Sequence, residues 1–135
     1  MELNILRADP AGNITVFVLD PVEKAQRAAI AEKIMAIPAL KAEQVGYACA
    51  AEDDVDGHME MMGGEFCGNA TRAYGMYIAQ QKGGLSSVRL RVSGCDHVVT
   101  AQVDLKSGTA RAEMPCPRSV KRVTVNGHEG TLVDL

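Results

Sequence analysis

From Val88 to Met114 the chain alternates apolar and polar side chains with a period of two. The apolar members are Val88, Leu90 and Val92, then Val99, Ala101, Val103 and Leu105, then Ala110, Ala112 and Met114. A β-strand sends successive side chains to opposite faces, so this stretch is confined to strands with one buried side. Ser93-Gly94 and Lys106-Ser107-Gly108 break the runs as turns, and Asn126-Gly127 is a further hairpin signal. Upstream, Ile14 to Leu19 reads as a buried strand. Glu2–Leu6, Gln44–Ala50, His58–Met62 and Thr131–Leu135 predict others.

Two segments break this period. Asp20-Pro21-Val22-Glu23 predicts a capped helix start, with Val22, Ala25, Ala29, Ile30, Met35 and Ile37 as its buried face and Pro38 as its stop. Ala70, Ala73, Tyr74, Tyr77 and Ile78 follow helical spacing until Gly83-Gly84. The pattern predicts an α+β fold of roughly eight short strands and two helices. The 135 residues fit one domain, residues 1–135. Aromatic residues make up only 4%, so the core falls to Val, Ile, Leu, Ala and seven Met.

A net charge of −3 with a pI near 5.6 argues against nucleic-acid binding. A mean hydropathy of −0.03 and the short apolar run at Ile14–Leu19 argue against a membrane span. The start Met-Glu-Leu-Asn-Ile-Leu-Arg does not read as a signal peptide, so a cytoplasmic location is expected. Cys49, Cys67, Cys95 and Cys116 lie 18, 28 and 21 residues apart, which matches no zinc pattern and no CxxC pair. Reduced thiols are expected, one reactive and the others packed.

Chemistry concentrates at Gly64-Glu65-Phe66-Cys67-Gly68-Asn69-Ala70-Thr71-Arg72. Cys67 stands immediately before a predicted helix, where exposed N–H groups stabilise a thiolate and bind a carboxylate. A thiol packed behind a capping loop is the plain alternative. Glu52 to Gly57 has the acidic density of a calcium loop but Gly63 at the position that needs a bidentate Glu, so it reads as a solvated turn. Gly63-Gly64 and Gly68 do not make a phosphate loop. His58, His97 and His128 lack helical ligand spacing and read as surface residues, so no metal site is expected.

Glu65-Phe66-Cys67-Gly68-Asn69-Ala70 resembles the first cysteine motif of the diaminopimelate epimerase superfamily, the PLP-independent amino-acid racemases and epimerases. Pro10-Ala11-Gly12-Asn13 resembles its substrate-binding Gly-Asn. Ala11-Gly12-Asn13, Glu43-Gln44-Val45-Gly46, Glu65 to Thr71, Val92-Ser93-Gly94-Cys95 and Met114-Pro115 together resemble the histidine racemase branch, which supplies D-histidine for staphylopine-type metallophores. The resemblance implies a mixed, mostly antiparallel sheet wrapped round a central helix, one of two similar domains. It implies a cofactor-independent isomerase in which two cysteines face each other across the substrate Cα. By position, Cys67 is one acid/base, the backbone of Gly68 and Asn69 holds the carboxylate, Asn13 contacts the substrate and Glu43 is placed for an imidazole.

Ala70 and Met62 stand where diaminopimelate epimerases carry Gly and Asn, which favours histidine over diaminopimelate. The second cysteine of the family comes from the second domain, and none of Cys49, Cys95 and Cys116 matches its motif. The expected partners are an amino-acid substrate and a missing carboxy-terminal domain, and the chain alone is expected to be inactive. Pairing of two copies through Cys67 is the variant that keeps activity. The alternatives are a diaminopimelate epimerase, a non-catalytic binding or assembly module of the same fold, and an isomerase using Glu65 as base.

Overall fold

A computed structural model describes residues 2–134. The chain runs β1 (Ile5–Ala8), β2 (Thr15–Val18), α1 (Lys24–Met35), β3 (Gln44–Cys49), β4 (Gly57–Met61), α2 (Gly68–Gln81), β5 (Ser87–Val92), β6 (Val99–Asp104), β7 (Thr109–Ala112), β8 (Ser119–Val125) and β9 (His128–Asp134). The fold is mixed α+β with two helices, as the sequence pattern predicts, and nine strands among the described residues where roughly eight are expected. Met1 and Leu135, the ends of the expected domain, lie outside the described residues. So does the last position of the strand expected over Thr131–Leu135.

Strands β1 to β7 form one sheet in chain order. The β2–β3 and β4–β5 pairs are parallel and the other pairs antiparallel. Parallel neighbours need a long crossover, and each such pair has a helix between its strands, α1 in the first and α2 in the second. The two helices bury separate apolar clusters. Ile30, Ala31 and Ile34 of α1 pack with Val16, Val18, Val45 and Tyr47. Ala70, Tyr74 and Ala79 of α2 pack with Phe17, Met59, Met61 and the alternating residues of β5 and β6. Strand β2 therefore feeds both clusters and is buried along its whole length.

Helix α2 lies close to the sheet because Gly75 has no side chain: a Cβ there would sit 2.7 Å from that of Ala101. Its buried residues are Ala70, Thr71, Tyr74, Gly75 and Ala79, whereas Ala73, Tyr77 and Ile78 of the expected stripe are half-buried.

The start of α1 differs from expectation. Its N-cap is Glu23, with no side-chain cap, because the Asp20 carboxylate instead accepts the backbone and side-chain N–H groups of Asn4. Its buried face differs too. Ala25, Ala29, Met35 and Ile37 are exposed, and the inward stripe is Arg27, Ile30, Ala31 and Ile34, spaced i, i+3, i+4, i+7. A cation leads the stripe because the sheet provides its partners. Arg27 pairs with Glu60 and lies 5.1 Å from the Tyr47 ring centroid, and Tyr47 Oη donates to the Arg27 carbonyl at 2.6 Å.

Burial alone would push the Glu60 carboxyl up, but the hydrogen bond and charge of Arg27, with Lys24 behind, take it below the ordinary carboxylate value. A depressed carboxylate stabilises the fold above its unfolded pKa and loses that stabilisation as pH falls through the folded value. Glu60→Gln is accordingly expected to cost about 1–2 kcal/mol of unfolding free energy at pH 7. In urea melts, the gap from the parent protein should close as pH is lowered toward about 3.

Candidate active site

The β2–β3 register sets Thr15 beside Gln44, and residues two apart share a face, so Thr15 and Phe17 point to the α2 side with Gln44 and Gly46. Phe17 leans over Gly46, where a Cβ would lie 2.7 Å from its Cδ1. Gln44 and Thr15 thus meet the start of α2.

Cys67 is the N-cap of α2, extended at φ −132°, ψ 111°. Its carbonyl accepts the first intrahelical bond from Thr71 N–H at 2.9 Å and also the Thr71 hydroxyl at 2.8 Å, which satisfies that buried side chain. The N–H groups of Gly68 and Asn69 precede that first bond and remain orphan donors at the helix start. Two donors are aimed at Cys67 Sγ: Ala70 N–H at 3.4 Å and Gln44 Nε2 at 3.2 Å. N–H groups directed at sulfur are the partners that a thiolate requires.

Gln44 joins this thiol to the rest of the site. Its Nε2 also reaches Thr15 Oγ1 at 2.7 Å and Asn13 Oδ1 at 3.0 Å. Asn69 Nδ2 donates to the same Asn13 oxygen at 3.2 Å, and Asn13 Nδ2 donates to Glu43 Oε2 at 3.1 Å. One network therefore unites Asn13, Glu43, Cys67 and Asn69, with Gly68 at its helix start. Glu43 is its exposed end.

Gln44 itself escapes sequence reasoning: an amide at a strand start carries no chemical signature until the register beside Thr15 is known. Met114 is the other residue without an assigned role. Its sulfur lies over Gly68, 2.8 Å from where a Cβ would stand.

The approach to Cys67 is fastened from behind. Ser93 Oγ donates to the Glu65 carbonyl at 2.7 Å and accepts Met61 N–H at 2.8 Å. Gly94, at φ +70°, sits so close to this loop that a Cβ would lie 2.2 Å from Phe66 N.

The other thiols stand apart from the network. Burial pushes the Cys49 thiol up, against the pull of Arg27, 3.5 Å away. Cys95 is half-buried and Cys116 exposed. His58 is not a surface residue as expected: its ring is 22% exposed, with Nε2 3.8 Å from Glu60 and Nδ1 3.3 Å from the Ala50 carbonyl. His97 and His128 are exposed. The acidic turn before β4 is tied down by cations, Asp54 to Arg91 at 3.1 Å and Asp56 to Lys82 at 3.4 Å.

Residues 2–134 match the family model described as the histidine racemase CntK N-terminal domain. The chain belongs to this family. It is 32% identical over 122 residues to a histidine racemase of Staphylococcus aureus strain Mu50, covering 87% of this chain and 44% of the relative. Histidine racemases of two strains of Fusobacterium nucleatum subsp. nucleatum are also similar. One is 42% identical over 79 residues (57% of this chain, 27% of the relative), the other 30% over 140 residues (97% and 51%). The chain thus spans about half the length of two of these curated relatives and less of the third. Among its described residues, no helix is long and apolar enough to cross a membrane.

Proposed function

We propose that this chain is the amino-terminal half of a cofactor-independent histidine racemase of diaminopimelate epimerase-like fold, with Cys67 as one of two cysteine acid/bases. The observation that carries the reading is the convergence of Gln44 Nε2 and Ala70 N–H on Cys67 Sγ at the start of α2.

In this reading the substrate carboxylate lies against the orphan N–H groups of Gly68 and Asn69, where the helix end favours negative charge. Cys67 as thiolate takes the Cα proton, and the electron pair left on Cα delocalises into the carboxylate held by those donors. A thiol on the opposite face, supplied by a second half, returns a proton with inversion. Glu43 meets the imidazole, and Asn13 orients the substrate. A reducing cytoplasm suits a free thiolate.

The second half is the partner this reading requires. Among the described residues, strands β8 and β9 pair only with each other and leave Val120, Val125, Leu132 and Val133 at least half exposed. A lone two-stranded ribbon is marginal in water, and a second half seated on it would cover these side chains.

The test uses the two-domain protein without pyridoxal phosphate. L-histidine should convert to D-histidine, and LL-diaminopimelate should stay unchanged. Gln44→Leu, which removes a donor from sulfur, should lower kcat by about tenfold. No turnover of histidine, or faster epimerisation of diaminopimelate, would contradict the proposal.

A further inference from the structure

A second group of donors lies behind the active-site loop and takes no part in the proposed reaction. Cys95, Asp96 and His97 occupy the β5–β6 turn, with one donor atom of each within 4.8 Å of the others. Cys95 Sγ lies 3.5 Å from His97 Nδ1 and 3.7 Å from Nε2, and Asp96 Oδ1 lies 3.0 Å from Nδ1. Cys116 lies outside that 4.8 Å group but lines the same cavity, of about 430 Å³, from the segment between β7 and β8, with Pro115 and Pro117 restricting its backbone.

We propose that Cys95, His97 and Cys116, with Asp96 as the oxygen donor, bind one borderline divalent transition metal such as Zn²⁺. A tetrahedral ion with usual Zn–S and Zn–N bonds holds sulfur and nitrogen roughly 3.6 Å apart, close to the separation of Cys95 and His97. Two thiolates and an imidazole select this class over Ca²⁺ and Mg²⁺, which take oxygen ligands. Binding releases the two thiol protons to solvent. Arg118 lines the same cavity, but two thiolates and a carboxylate outweigh its single charge.

The other donor group, Cys49, His58 and Glu60, is a poorer site because Arg27 and Lys24 already pair with Glu60 and Arg27 reaches the sulfur. Cysteine spacing along the chain did not reveal the proposed site. Its histidine is two residues from one cysteine, and its second cysteine arrives from another strand connection.

Titrating the reduced, metal-free chain with Co²⁺ should bind one equivalent, with a thiolate-to-metal charge-transfer band and the visible bands of a tetrahedral ion, both displaced by Zn²⁺. Cys95→Ser, His97→Ala and Cys116→Ser should each weaken Zn²⁺ binding by more than about 100-fold, since even outer-shell partners are worth about 10–100-fold. Circular dichroism checks that each variant folds, and the parent protein's cobalt spectrum stands without any variant. Cys49→Ser should bind like the parent. The proposal is overturned by absence of the charge-transfer band, by unchanged Zn²⁺ binding in the three variants, or by loss of binding in Cys49→Ser alone. A Cys95–Cys116 disulfide in air, with no metal uptake after reduction, overturns it equally.

Discussion

Replacing Cys67 by serine in the two-domain enzyme is expected to lower kcat for histidine racemisation by about 10³-fold or more, the scale of a lost general base, with the fold intact. The two effects separate because the proposed mechanism gives Cys67 two jobs. As N-cap it accepts Ala70 N–H at 3.4 Å, and serine is a better N-cap than cysteine, so α2 keeps its start. As base it must carry negative charge near neutral pH, which a serine hydroxyl does not. Circular dichroism at a histidine band reads the rate, and urea melts read the stability. Near-parental turnover in Cys67→Ser would remove this residue from the mechanism. Cys49→Ser is the matching control, because burial pushes that thiol up and Arg27 and Glu60 occupy its surroundings.

Gly94→Ala should produce the largest stability loss for the smallest change in volume. The added Cβ would lie 2.2 Å from Phe66 N and 2.7 Å from the Glu65 carbonyl carbon, and both are backbone atoms that cannot rotate away. The residue also sits at φ +70°, where alanine is strained. Together these should cost about 2–4 kcal/mol in urea melts. Gly108→Ala separates the two terms: φ is +67° there and nothing lies within 4 Å of the added atom, so only about 1 kcal/mol is expected. The displaced loop leads into Cys67, so kcat measured on the folded fraction of Gly94→Ala should fall as well. Equal losses in the two variants would show that the close approach at Phe66 carries no energy.

Strands β5, β6 and β7 were legible because one face turns inward and the other is wet, which writes a period of two into the sequence. Strands β8 and β9 have no buried face, and only the Asn126-Gly127 turn and the end of β9 were marked. The helix face of α2 was legible only at Ala70 and Tyr74. Thr71 and Gly75 are as deeply buried, one because its hydroxyl is satisfied by the Cys67 carbonyl and the other because Ala101 needs the space. The stripe of α1 was misread because its first member is Arg27, and only the tertiary partners Glu60 and Tyr47 make a half-buried cation acceptable. Local chemistry marked Cys67 and its helix start. The assembly of Asn13, Glu43 and Asn69 around it depends on Gln44, whose position follows from pairing between strands some thirty residues apart.

The central claim is that Cys67 serves one face of Cα while a thiol of the second half serves the other. Running the two-domain enzyme on L-histidine in D₂O, stopped at low conversion, tests this directly. The account predicts D-histidine carrying solvent deuterium at Cα beside unreacted L-histidine that still carries hydrogen, with the deuterated D-histidine lost in Cys67→Ser. D-histidine that retains the substrate's own hydrogen would mean that one base serves both faces, and would contradict it.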